Sequence, residues 1–546
     1  MKKILTLLMA AGMLLGATSG ASAIDFKAKG QWLMGFGVGE TNPISKTRLG
    51  NDLLGNSKKK YSSADQFQAK QRVRLQLDAV ASEALSGTVF FEIGTQAWGQ
   101  EESGGALGAD GANQIKIKRA YIDWVVPDTD LKFRMGIQGV ALPSMAGGSA
   151  VMDTDVAGIT ASYQFNENVG LTFLWARPAN DNYIGRDPRD RGDIQTQADF
   201  DRWNRRDYPN YLDNMDLFAL LLPVKLDGFE ITPWVMYGMQ GKNTLLGLNR
   251  DGDEIPLGTK DGNLHYSLRP YPGTDVRSSM NILLGDDWTN SIGKTGKAYG
   301  SMFWAGLPFA ITAWDPLNIE ADINYGYVEE IGRYDAYKGS LVTFDPANMK
   351  RGSTQRQGWL AKALVEYKMD WGVPGVFGWY GSGDDGNVKN GSERMPSIVP
   401  MGNFTSFMGD GNYGWMMQDF GLDYAGTWGL GAQIRDMSFV EDLSHTFRVA
   451  YWGGTNSTSM VKYMDTAYAW AGGWGNGTSP YLTTNDGLLE FNLVNNYKMY
   501  ENFDVNLELS YIANFMDNDT WKKTNLPSSF SKQDTWKAQV TFAYSF

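Results

Sequence analysis

Apolar residues return at every second position in segment after segment of this chain, and few folds accept that pattern. The stretch "RVRLQLDAV" puts Val73, Leu75, Leu77 and Ala79 on one face and Arg72, Arg74, Gln76 and Asp78 on the other. "LKFRMGIQ" separates Leu131, Phe133, Met135 and Ile137 from Lys132, Arg134 and Gln138. "NIEADINYGY" sets Ile319, Ala321, Ile323, Tyr325 and Tyr327 against Glu320, Asp322 and Asn324. "FDVNLELSY" sets Phe503, Val505, Leu507, Leu509 and Tyr511 against Asp504, Asn506, Glu508 and Ser510. A period of two is a β-strand with one apolar and one polar face. A single such strand suits any half-exposed sheet. A long series, with charges kept on the second face, points to a sheet with lipid on one side and water on the other.

The connections alternate too. Short turns fall near 80–86, 127–130, 166–169, 223–228, 314–316, 370–374, 436–442 and 498–502. Between them lie longer polar loops near 39–66, 99–113, 139–156, 178–214, 241–296, 330–355, 382–425, 454–486 and 516–532. The expected fold is therefore all-β: a transmembrane antiparallel up-and-down barrel of 18 strands, with 16 the alternative. Short turns would face the periplasm and long loops the exterior. A barrel of that size leaves an aqueous lumen, whereas eight strands would be filled by side chains.

Composition then makes sense. Mean hydropathy is −0.34 and the apolar fraction 42 %, which suit a soluble chain. Strands apolar only on alternate residues reconcile that polarity with a lipid-facing surface. The start, "MKKILTLLMAAGMLLGATSGASA", has the basic, apolar and A-x-A parts of a secretory leader, so residues 1–23 are expected to be removed and 24–546 to form the barrel. Cysteine is absent, which excludes a disulfide framework outside the cytoplasm. The closing stretch "QVTFAYSF" alternates back from Phe546 through Tyr544, Phe542, Val540, Ala538 and Trp536. Such a strand is expected to pair with "FKAKGQWLMGFGV" and close the sheet, removing both edges.

The aromatic-x-aromatic-x-Phe ending, Phe542, Tyr544 and Phe546, resembles the C-terminal signature that delivers Gram-negative outer-membrane proteins to the barrel assembly machinery. "KIKRAYIDWVVPDTDLKFRMGIQGV" resembles the segment of trimeric general porins that leads into their inward-folded loop. "WLAKALVEYKMDWGVPGVFGWYGSGDD" and "GLGAQIRDMSFVEDLSHTFRVAYWGGTN" look like the homotrimeric porins of sulfate-reducing bacteria. The resemblance implies a homotrimer in the cell outer membrane, in contact with lipid and lipopolysaccharide, each protomer passing small hydrophilic solutes and ions passively. It also implies a third long loop folded into the pore against a basic wall. Here that loop is "GVALPSMAGGSAVMDTDVAG", near 139–156, whose charges are Asp153 and Asp155. Strand parity turns Arg72, Arg74 and Arg119 inward, with Lys70 slightly higher on the same face and Arg134 lower. The competing reading is that these are ordinary wall ion pairs, Glu92 lying opposite Arg74. The loop departs from the best-known porins in lacking their acidic-aromatic-Gly core.

Other classes fit poorly. The net charge is −12, two units more negative without Lys2 and Lys3, which argues against nucleic acid. "LNRDGDEI" begins like a calcium loop, but position twelve from Asp251 is Gly262, where a bidentate Glu is required. "RGD" at 191–193 is short enough to arise by chance. A barrel enzyme needs a base beside a nucleophile, and the two histidines, His265 and His445, fall at opposite ends of the barrel. No catalytic residue, cofactor or metal is expected. The rival within channels is a substrate-selective pore with a row of aromatics for sugars, or a preference for small anions. Inward aromatics stacked along one path would favour the sugar slide.

Overall fold

The computed structural model describes residues 24–40, 65–99, 115–180, 214–241, 299–330, 333–338, 346–402, 404–408, 424–464, 467, 480–524 and 532–546. The expected leader at 1–23, the acidic stretch at 251–262, the 191–193 triplet and His265 lie outside them.

Eighteen strands form one closed antiparallel barrel. They are β1 Asp25–Glu40, β2 Asp65–Ser82, β3 Leu85–Ala97, β4 Ile115–Val125, β5 Leu131–Ala141 and β6 Asp153–Gln164. Next come β7 Gly170–Asn180, β8 Asn214–Leu221 continued by Val224–Leu226, and β9 Phe229–Ile231 continued by Trp234–Gly241. Then follow β10 Tyr299–Ile311, β11 Leu317–Val328, β12 Arg356–Tyr367, β13 Val373–Gly381 and β14 Thr427–Val440. The last four are β15 Leu443–Gly454, β16 Gly487–Tyr500, β17 Phe503–Asn514 and β18 Thr535–Ser545. The breaks in β8 and β9 sit at Pro223 and at Thr232–Pro233, because proline cannot donate to a ladder. All eight short turns fall where the alternation stops.

Closure is made by β18 on β1, in register from Gln31↔Ser545 to Gly39↔Lys537. The ladder runs to the last residue: Phe546 N–H donates to the Gly30 carbonyl at 3.0 Å, and Gly30 N–H to that of Phe546 at 2.8 Å. Every strand thus has two neighbours, which satisfies the backbone where water is scarce.

The two faces follow the parity of the sequence. On β17, Leu507, Leu509 and Tyr511 are 40–41 % exposed, while Asn506, Glu508 and Ser510 between them are 5 % exposed or less. The outward face carries ring pairs such as Trp124–Phe133, stacked at 5.6 Å, and Trp359–Tyr380 at 5.2 Å. Among the described residues no helix is long and apolar enough to cross a membrane.

The lumen is not empty. Residues 142–152, between β5 and β6, reach Asp322 on β11 and Lys362 on β12. A second segment, described over 396–402 and 404–408 between β13 and β14, reaches Glu490 on β16 and Lys537 on β18. The tip of the first turns on Gly147 and Gly148, whose φ values of +63° and +78° a side chain rarely tolerates. Inward aromatics Trp234, Trp304, Phe377, Trp379 and Trp452 pack with these segments into an apolar core. Phe377 stacks on Phe404 at 4.6 Å, and Trp379 meets Trp452 edge-on at 4.4 Å.

Candidate functional site

The inward faces of β2 to β5 differ from the rest of the wall. Inward Asp322, Lys362, Glu490 and Gln539 on β11, β12, β16 and β18 are buried beneath the inward segments, although Arg435 on β14 keeps 39 % of its side chain exposed. Inward residues on β2 to β5 keep part of their surface open: Lys70, Arg72, Arg74, Glu92, Lys118, Arg119 and Arg134 are all only half-buried or more exposed. An open part of the lumen therefore runs along β2 to β5.

Parity places Lys70, Arg72 and Arg74 on one face of β2, beside the outward Val73, Leu75 and Leu77. Arg74 does not stand alone: its Nε lies 2.8 Å from Glu92 on β3. Arg134 on β5 donates Nε and Nη2 to both oxygens of Asp123 on β4, at 2.7 and 2.9 Å, and its guanidinium lies 4.2 Å over the Tyr121 ring. Arg119 donates Nε to Asp155 at 2.6 Å and lies 5.6 Å over the Phe90 ring. So three of the five cations expected on the basic wall make contact ion pairs, as the competing reading anticipated for Arg74.

Asp153 and Asp155 stand elsewhere than expected. The β5–β6 ladder continues through Gly139↔Asp155 to Ala141↔Asp153, so both belong to strand β6 rather than to the segment that crosses the lumen. The described crossing segment, 142–152, has no charged side chain; its polar contacts with Asp322 and Lys362 are made by its backbone and Ser144. Asp155 meets the basic wall by direct contact, not across a gap.

The sequence reading missed Lys118. The β3–β4 register shifts between Phe90↔Arg119 and Phe91↔Ile117, leaving Lys118 as an extra residue. Its Nζ lies 2.5 Å from Asp155, so one carboxylate takes two cations. The signal was present: the outward series Ile115, Ile117 changes phase before Ala120 and Ile122. Also missed was the whole 396–408 segment.

Phe542 packs outside the barrel against Phe36 of β1 and Phe503 of β17, both at 6.3 Å between ring centres. Tyr544 and Phe546 are exposed there, 5.7 Å apart. His445 on β15 bonds Asn495 through Nδ1 at 2.7 Å and has no nucleophile among its described partners. Among the described residues no group of acids and histidines could hold a metal.

No protein-family model matches the chain, and no curated protein matches it. Its backbone is similar to solved structures of Gram-negative proteins. OccAB2 of Acinetobacter baumannii is 11 % identical, with a TM-score of 0.47, 97 % of this chain and 99 % of that one being covered. A BenF-like porin of Pseudomonas fluorescens Pf-5 is 8 % identical, with a TM-score of 0.46 and 96 % and 98 % covered. OccK11 (OpdR) of Pseudomonas aeruginosa is 10 % identical, with a TM-score of 0.44 and 95 % and 96 % covered.

Proposed function

We propose that this chain is an outer-membrane porin of a Gram-negative cell, a water-filled channel through which small hydrophilic solutes and ions diffuse passively. One observation carries the reading: a closed barrel with an apolar outer face and a polar inner face, narrowed from within by segments that leave its wall. Such a design suits lipid outside and water inside. Solutes would be sorted by bore and by the charge field at the narrowing. We assign that narrowing to Lys70, Arg72, Arg74, Arg119 and Arg134, with Lys118 added, and to Asp153 and Asp155.

General diffusion is favoured over a sugar slide by the burial of five inward aromatics and by the capping of Phe90 and Tyr121 on the open wall by Arg119 and Arg134. Trp234, Trp304, Phe377, Trp379 and Trp452 are at most 5 % exposed, so they pack a core and offer no path. Export through the periplasm after cleavage near residue 23, delivery by the assembly machinery and contact with lipopolysaccharide belong to the same proposal. So does a homotrimer, which rests on the resemblance and on the preference of oligomers for closed symmetry. Purified protein in planar bilayers should give discrete, voltage-stable conductance steps, and mild-detergent extracts should have three times the protomer mass. A barrel that inserts but conducts nothing would overturn the channel.

A further inference from the structure

Two buried wall clusters grip the two inward segments in the same manner. On the first wall, the Asp322 carboxylate accepts the backbone N–H groups of Met145 at 3.0 Å and Ala146 at 2.7 Å, and the Ser144 hydroxyl at 3.1 Å. Beside it, Lys362 donates to the carbonyls of Ala146 and Gly148, both at 2.5 Å, while standing 3.5 Å from Asp322. On the second wall, Glu490 accepts the N–H groups of Phe407 at 2.8 Å and Met408 at 3.3 Å. There Lys537 donates to the Ser406 carbonyl at 2.8 Å and stands 3.0 Å from Glu508. Each lysine also lies 5.0 Å over a ring, Tyr424 for Lys362 and Phe407 for Lys537.

None of Asp322, Lys362, Glu490 and Lys537 is more than 3 % exposed. Such charges are too costly to bury without partners, and here they take loop backbone, with Asp322 also facing Lys362 and Lys537 facing Glu508. Apart from the Ser144 hydroxyl, these polar contacts read main chain, so they fix where a segment lies more than what side chains it carries. Between the clamps the segments are joined. Ile398 N–H donates to the Val151 carbonyl and Asp153 N–H to that of Val399, both at 2.8 Å, and Met401 N–H reaches Ser149 at 3.0 Å.

We propose that Asp322, Lys362, Glu490 and Lys537 are positioning residues that hold the two inward segments as one partition, setting the bore beside β2 to β5 from the opposite walls. The inference rests on the channel reading. Because the segments are joined, releasing either clamp loosens both. Each variant removes one acid and one base: Asp322→Asn with Lys362→Met, and Glu490→Gln with Lys537→Met, the latter leaving Glu508 the bonds it accepts from Gln539 and Ser510.

The test compares bilayer conductance and liposome uptake of neutral sugars of graded size. Each double variant should conduct at least about 1.5-fold more than the parent and admit larger sugars, since conductance follows open cross-section. The parent has no cysteine, so Met152→Cys with Val399→Cys introduces the sole thiol pair, at partners of a parallel bridge. Oxidising that pair in the Asp322→Asn, Lys362→Met background should return conductance toward the parent value, and reduction should reverse it. Folded, heat-modifiable double variants with the parental conductance and sugar cutoff overturn the inference and leave the channel standing. Should a double variant not fold, the Cys pair in the parent decides: failure to cross-link overturns the joined partition. A parent without conductance overturns the channel reading, and this inference with it.

Discussion

Arg119 lies against Asp155 because residue 139 is glycine: a Cβ there would be 2.6 Å from the guanidinium carbon. Asp155 therefore offsets both Arg119 and Lys118. Asp155→Asn should uncover two cations at once and move selectivity toward anions by roughly twofold in permeability ratio at 0.1 M salt, where screening reaches about 10 Å. An unchanged reversal potential would remove Asp155 from the pore. The Arg134–Asp123 pair has side chains 41 % and 36 % exposed, so it contributes about 1 kcal/mol or less to stability. Its interest is therefore the charge it places in the lumen. Glu393 is a different case, in the connection after β13. Burial pushes its carboxyl up to about 7, helped by Asp384 and Asp385, although the Asp385 N–H bond at 3.0 Å opposes the rise. A carboxyl raised in the folded state favours folding most below its unfolded value of about 4.3. That contribution is lost as pH rises through about 7. Protease nicking of the 382–395 stretch should therefore increase from pH 5 to pH 8, and Glu393→Gln should remove the dependence. Equal nicking in parent and variant at both pH values counts against it.

At the level of elements, the closing strand depends on its last residue. Phe546 makes both backbone bonds to Gly30, and its ring lies against that glycine, where a Cβ would be 2.6 Å away. Deleting Phe546 or replacing it with Asp should leave the protein exported but cut the yield of heat-modifiable barrel several-fold. Normal yields would show that closure and delivery rest on Phe542 and Tyr544 alone. Strands and turns were legible because parity is a local property: "FDVNLELSY" displays its faces without its neighbours. Two things were not. The bulge at Lys118 depends on how β3 twists under Phe90, so a phase change of one residue looked like noise. The path of 396–408 depends on Glu490 and Lys537, which are remote in sequence, and a loop without period carries no sign of its destination. Asp153 and Asp155 were drawn into the loop for the same reason, since polar residues at a strand end read as loop until a ladder partner is known.

For the whole molecule, the overall charge and the charge at the narrowing have opposite sign. The chain is acidic, with a net charge of −12, yet Lys70, Arg72, Arg74, Lys118, Arg119, Lys132 and Arg134 outnumber Asp78, Glu92, Asp123, Asp153 and Asp155 along β2 to β6. Selectivity follows the nearer charges, because screening confines a field to about 10 Å at 0.1 M salt. Asp322 and Glu490 are already tied to loop backbone. A salt gradient at low ionic strength should therefore give a reversal potential of the sign expected for weak anion preference. Changing Arg72 and Arg74 together to Glu should turn it toward cations, helped by Glu92, which then faces a like charge at position 74. At 1 M salt the Debye length is about 3 Å, and the difference between parent and variant should nearly vanish. Cation preference in the parent at low salt would mean that the acidic loops, not the β2–β5 wall, govern passage. A variant effect that persists at 1 M would point instead to a change in bore, since size exclusion is not screened.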